Sequence, residues 1–129
     1  MQKITIYTDG GARGNPGPAG IGVHIVGKGN YKKYIGKATN NQAEYQAVIL
    51  ALEKAKIFNA KEIDFFLDSE LIVNQLNGKY KVKDKDLGKL FVKIWNLKVG
   101  FRKVTFTHIP REKNIEADRL VNQAIDDAA

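Results

Sequence analysis

A chain of 129 residues, 43% hydrophobic and 27% charged, has the size and make-up of one soluble domain covering residues 1–129. It contains no cysteine, which excludes disulfides and thiolate metal sites, and no apolar run near the ~20 residues that span a bilayer. Lys and Arg number 21 against 14 Asp and Glu, a net charge of +7 that suits a polyanionic partner, most simply nucleic acid. Met1 runs directly into the first strand pattern with no space for a secretory leader, so a cytoplasmic monomer is expected.

Residues 3–8 alternate as a strand, with Ile4 and Ile6 on one face. Asp9 stands at the end of this strand. Glycines 10, 11 and 14, with Arg13 and Asn15 among them, read as a loop whose N–H groups can approach a ligand closely. Residues 20–26 give a second strand, 27–30 a hairpin turn and 31–37 a third strand, together an antiparallel meander. His24 falls on the solvent side of the second strand.

Over residues 41–58 the period becomes helical, with Ala47, Val48, Ala51, Leu52 and Ala55 on one buried face. Thr39, Asn40 and Asn41 supply capping side chains ahead of it. Glu44 extends the apolar stripe at the first turn. An inward carboxylate is costly without a partner, and a metal ion is the partner expected.

Residues 61–67 form a fourth strand ending at Asp68, much as the first ends at Asp9. Strand, long helix and strand in succession imply a right-handed crossover and a parallel pair. A short helix over 69–77 closes at Gly78, and 79–86 is a basic, extended connection. A helix follows over 87–99, with Leu87, Leu90, Phe91, Ile94, Trp95 and Lys98 at helical spacing, which places Trp95 in the core. Residues 101–107 alternate as a fifth strand. A loop over 109–114 leads to a last helix over 115–128, with Ala117, Leu120, Val121 and Ala124 inward and Asp118 on its first turn.

Asp9 and Asp68 thus stand at the ends of two strands expected to be parallel neighbours. Glu44 and Asp118 lie on helix starts that can flank those ends. Clustered carboxylates repel unless cations are present, and an all-oxygen donor set selects Mg²⁺ or Mn²⁺ over zinc. Two such ions about 3.5–4 Å apart can stabilise the attacking and leaving oxygens at a phosphodiester.

Four segments carry a resemblance: Y-T-D-G-G-A-R-G-N-P-G at 7–17, T-N-N-Q-A-E-Y at 39–45, F-L-D-S at 66–69 and H-I-P-R-E-K-N-I-E-A-D-R-L at 108–120. In this order and spacing they resemble ribonuclease H, type 1. The resemblance implies an α/β fold: a five-stranded mixed sheet of order 3-2-1-4-5, with strands 1, 4 and 5 parallel and helices on both faces. It implies metal-dependent cleavage of the RNA strand of RNA–DNA hybrids, and it leaves double-stranded RNA open as a further substrate. Asp9, Glu44, Asp68 and Asp118 match the family's catalytic and metal-holding carboxylates. By the same resemblance, Asp9 bridges two ions and Glu44 lies nearest the substrate 2′-hydroxyl.

Substrate contacts carried over in this way fall on Gly10, Gly11, Arg13 and Asn15, on Asn40, Asn41 and Gln42, and on Ser69. Some of the polar triplet is expected to cap the helix instead, and Ser69 either caps or binds phosphate. The family's auxiliary residue is His108 or Arg111, and the local P-R-E-x-N wording favours Arg111. A basic helix-and-loop protrusion found in the best-known bacterial form has no room here between Gly78 and Leu87; the Lys79, Lys81, Lys83 and Lys85 ladder partly replaces its charge. Two other readings share the fold, a binding module and a strand transferase. Four clustered acids facing phosphates argue against the first, and the D-G-G-x-R-G-N-P and T-N-N-x-x-E segments against the second.

Overall fold

A computed structural model describes residues 2–129. In chain order the elements are β1 (Lys3–Ala12), β2 (Gly17–Ile25), β3 (Gly29–Ala38), α1 (Asn40–Ile57), β4 (Glu62–Leu67), α2 (Glu70–Leu76), α3 (Lys85–Lys98), β5 (Lys103–His108), a 3-10 turn (Arg111–Lys113) and α4 (Ile115–Ala128). The sheet runs β3-β2-β1-β4-β5, antiparallel between β1 and β2 and between β2 and β3, parallel between β1 and β4 and between β4 and β5. This is the architecture expected from the sequence.

Gly10 and Gly11 are strand rather than loop, and the turn expected after Asp9 is confined to residues 13–16. β1 pairs with β4 only from Lys3 opposite Glu62 to Tyr7 opposite Phe66, but stays paired with β2 out to Ala12 opposite Ala19. Asp9 therefore stands just past the end of the parallel ladder while its backbone is still held by Gly22 across the antiparallel one. A strand that outruns one neighbour opens a crevice at that end, and open α/β sheets bind ligands there.

These glycines work mainly through their missing side chains. A Cβ on Gly10 would lie 2.2 Å from the carbonyl carbon of Ala43 in α1. On the opposite face, a Cβ on Gly22 would lie 2.4 Å from the carbonyl oxygen of Ala117 in α4, and one on Gly20 2.9 Å from that of Val121. Bare backbone at these points lets both helices settle directly on the strands. Gly14, with φ of 94°, is the one glycine of the stretch that needs left-handed backbone.

The main core lies on the α1 side of the sheet. Ile4, Ile6, Val23, Ile25, Ile63 and Phe65 meet Tyr45, Val48 and Leu52 of α1, with Ile72 and Leu76 of α2 and Leu87 and Ile94 of α3. Each such burial contributes about 1.5–3 kcal/mol, enough to fix which strand face is inward. On the other side α4 buries Ala117, Leu120, Val121, Ala124 and Ile125 over β1, β2 and β3.

Several boundaries differ from the sequence reading, each for a local reason. α1 starts at Asn40 because Thr39 caps it: its hydroxyl accepts from Gln42 N–H, and the Gln42 side chain accepts from Thr39 N–H. Glu44 consequently lies one step past the first turn. α3 starts at Lys85 because the Asp84 carboxylate accepts from the N–H groups of Asp86 and Leu87. Ser69 caps α2 by accepting from Ile72 N–H at 3.3 Å. The largest departure is Trp95. It is 58% exposed, with the Lys98 ammonium 5.0 Å from its ring centre, while Ile94 beside it is 1% exposed.

Candidate active site

Each acidic side chain is delivered by a different element. β1 supplies Asp9, α1 Glu44, the end of β4 Asp68, and the first turn of α4 Asp118. All four line one cleft of about 460 Å³ together with Gly10, Gly11, Arg13, Asn40, Asn41, Ser69 and Arg111. Carboxylate oxygens of Asp9, Glu44 and Asp68 lie within 4.8 Å of one another. Asp118 sits further out, its carboxylate 3.8 Å from the Arg111 guanidinium.

Asp9 and Glu44 are 8% and 5% exposed. The Gly10 N–H donates to both, to Asp9 Oδ1 at 3.0 Å and to Glu44 Oε1 through a short bond. That shared donor is available because Gly10 lies flat against α1. Burial pushes the Asp9 carboxyl up to about 7, with the neighbouring Glu44 carboxyl offsetting part of the rise and the charges of Asp68 and Asp118 adding to it. Burial, then the charge of Asp9, raises Glu44 well above its ordinary range.

Glu44 Oε2 is buried and has no hydrogen-bond partner. An unpaired acceptor beside two further carboxylates fits a divalent cation, whose charge would return these acids to their ionised forms. With no cysteine in the chain and only oxygen donors in the cluster, the ion fitted is a hard one of the Mg²⁺ or Mn²⁺ type.

The remaining sequence-derived residues divide by position. Asn40 and Asn41 line the cleft, and Asn40 Oδ1 accepts from Ala12 N–H at 2.8 Å. Gln42 is taken up in the capping box of α1, and Asn15 Oδ1 accepts from Asn40 N–H at 3.0 Å, fastening the glycine turn to the helix start. Arg13 reaches along the cleft to Asp126, 2.6 Å away, and to Asn122. Arg111 is at the cleft; His108, exposed at the end of β5 and paired with Leu67, is not among its lining residues.

In the sequence Asn114 ends a loop and the P-R-E-x-N wording, with no role of its own. It is 1% exposed, and its side-chain amide donates to Thr8 O at 2.9 Å and to Asp68 Oδ2 at 3.1 Å. The one sequence signal was an Asn immediately before a helix, which ordinarily marks a cap.

Comparison with known proteins places this geometry among relatives. A family model described as reverse transcriptase-like matches residues 7–124. A bifunctional protein of Mycobacterium tuberculosis is 44% identical over 98% of this chain, which spans 36% of that longer protein. A ribonuclease H of Chlorobium phaeobacteroides is 35% identical, with 97% of each chain covered. Among solved structures, LC11 ribonuclease H1, an enzyme isolated from compost by a metagenomic approach, is 51% identical in its crystal structure with an RNA/DNA hybrid, at a TM-score of 0.92, covering 97% of this chain and 98% of its own.

Proposed function

The chain belongs to the type 1 ribonuclease H family, and from that premise we propose that it is an endonuclease hydrolysing the RNA strand of RNA–DNA hybrids to 5′-phosphate and 3′-hydroxyl ends. The observation that carries the reading is the convergence of Asp9, Glu44 and Asp68 within 4.8 Å, with Glu44 Oε2 buried and unpartnered. A binding module facing phosphates gains nothing from this concentration of acid. The hybrid bound to the 51%-identical compost enzyme supports the substrate class.

Asp9, Glu44, Asp68 and Asp118 are the residues that would hold Mg²⁺, or Mn²⁺ in its place, as two ions when substrate is bound. When bound, such ions supply Lewis-acid stabilisation of the attacking and leaving oxygens. The chain's own groups do the rest. Asp9, whose carboxylate lies within 4.8 Å of those of Glu44 and Asp68, would be a ligand at the centre of the cluster. Glu44, held by the Gly10 N–H, would by the family resemblance lie nearest the 2′-hydroxyl that distinguishes RNA from DNA. Water attacks phosphorus in line and gives up a proton to solvent as the bond from phosphorus to the 3′-oxygen breaks, and that oxygen takes up a proton from solvent.

Gly10, Gly11, Asn40 and Asn41 line the floor and rim on which the minor groove would rest. The backbone at Arg13, whose guanidinium is paired with Asp126, would face the same groove. Asn15 and Gln42 contribute by fixing the start of α1, and Ser69 by capping α2 where Asp68 ends. Arg111, with its side chain 82% exposed beside Asp118, is the auxiliary residue in this reading and assists attack or product release.

The test uses a hybrid labelled on either strand, incubated with Mg²⁺, Mn²⁺ or EDTA. Metal-dependent cutting confined to the RNA strand is expected, with 5′-phosphate products. Cutting of both strands, or cutting in EDTA, would overturn the reading.

A further inference from the structure

We propose that Asn114 is a positioning residue that fixes Asp68 against Asp9 and Asp118, so that metal binding and turnover depend on its side-chain amide. The proposal rests on the ribonuclease reading and names a residue that the four motifs leave without a role.

Asn114 touches three of the four acid-bearing elements. Its Nδ2 group donates to Thr8 O, the carbonyl directly before Asp9, and to Asp68 Oδ2. Its own carbonyl accepts from Asp118 N–H at 3.1 Å, the bond that opens α4. One buried residue thereby indexes the end of β1, the end of β4 and the start of α4 to one another. As the cap residue of α4 it makes no side-chain cap hydrogen bond. The amide that would normally serve its helix is turned to the carboxylate site instead.

The chemistry requires an amide. Asn offers two N–H donors on one nitrogen and no charge, and both donors are used. Aspartate has nearly the same shape but no donor, and it adds a negative charge beside Asp68. Asn114 Oδ1 is left buried with no partner, an arrangement that costs stability. Partners that orient metal-holding carboxylates typically change affinity or activity by roughly 10–100-fold when removed.

The experiment compares wild type, Asn114→Ala and Asn114→Asp by three readings: melting temperature in EDTA, the rise in melting temperature on titrating Mg²⁺ without substrate, and kcat and KM on a labelled hybrid. In Asn114→Ala the Mg²⁺ needed for half of the melting rise should increase roughly tenfold, and kcat should fall roughly 10–100-fold with KM within about threefold. Asn114→Asp should lose at least as much and, being nearly isosteric, serves if the alanine variant does not fold. A lowered melting temperature with Mg²⁺ response and kcat unchanged would mean a structural role only and overturn the proposal, as would a loss confined to KM. Wild type that fails to cut the hybrid would refute the ribonuclease reading, while the Mg²⁺ melting response still tests Asn114 separately.

Discussion

Replacing Gly10 by alanine would drive a methyl group into the backbone of α1. The new Cβ would lie 2.2 Å from the Ala43 carbonyl carbon, 2.4 Å from its oxygen and 2.5 Å from the Glu44 nitrogen. Real Cβ contacts essentially never fall below 3.0 Å and become ordinary at 3.4 Å, so strand and helix must separate by about 0.8–1.2 Å. No rotamer relieves the clash, because the atoms met are main chain. Overpacking of this kind costs about 1–3 kcal/mol. Weakening the Gly10 N–H bond to Glu44 brings the expected loss to about 2–4 kcal/mol. Displacing Glu44 from Asp9 by about 1 Å should also lower turnover on the order of 10²-fold. Gly11 is the stability control, because a Cβ there meets Val121 at 3.7 Å and Asn40 at 3.9 Å, ordinary contacts. Its alanine variant should unfold within about 1 kcal/mol of wild type. Urea denaturation measures both variants, and hybrid cleavage measures the displacement of Glu44. Equal unfolding midpoints for Gly10→Ala and Gly11→Ala, or full activity in Gly10→Ala, would refute the close-packing argument.

Asp9, raised from 3.8 to about 7, stabilises the metal-free protein while protonated; that contribution is complete below pH 4 and is lost as pH rises through about 7. In EDTA, wild type should therefore lose up to about 4 kcal/mol relative to Asp9→Asn between pH 4 and pH 8, and parallel melting profiles of the two proteins would contradict this. Trp95→Ala should cost less than about 1 kcal/mol, whereas Ile94→Ala, one residue away and buried, should cost about 2–5 kcal/mol in the same denaturation assay. Arg111→Ala should lower kcat at least about tenfold, while His108→Ala stays within about twofold with an unchanged pH–rate profile. The reverse result would transfer the auxiliary role to His108.

The antiparallel meander, the parallel crossover and the four acids at element ends are legible because each rests on local pattern, alternation, helical spacing or an acid at an element's end, whereas the full strand order comes from the resemblance to ribonuclease H. The glycine stretch misled for a physical reason. Gly10 and Gly11 suggest conformational freedom, yet they are paired strand residues opposite Ile21 and Gly20, and it is Gly10 that must stay bare to admit α1. Nothing in a single strand reveals how near a helix will lie. Trp95 misled because α3 carries two apolar stripes. Leu87, Leu90 and Ile94 turn toward the core, while Val92, Trp95 and Val99 remain in solvent, and spacing alone does not rank them. Asn114 was invisible because its partners, Thr8 and Asp68, are 106 and 46 residues away in the chain. Roles of that kind exist only once the elements have assembled.

The most direct measurement compares wild type with Asp9→Asn on one RNA–DNA hybrid in Mg²⁺, following both cleavage and binding. Asp9 is the residue on which burial, neighbouring charge and the shared Gly10 donor converge. The account predicts that the variant still binds the hybrid but no longer cuts its RNA strand. A variant that cuts as fast as wild type would contradict the assignment of the carboxylate cluster as the catalytic centre.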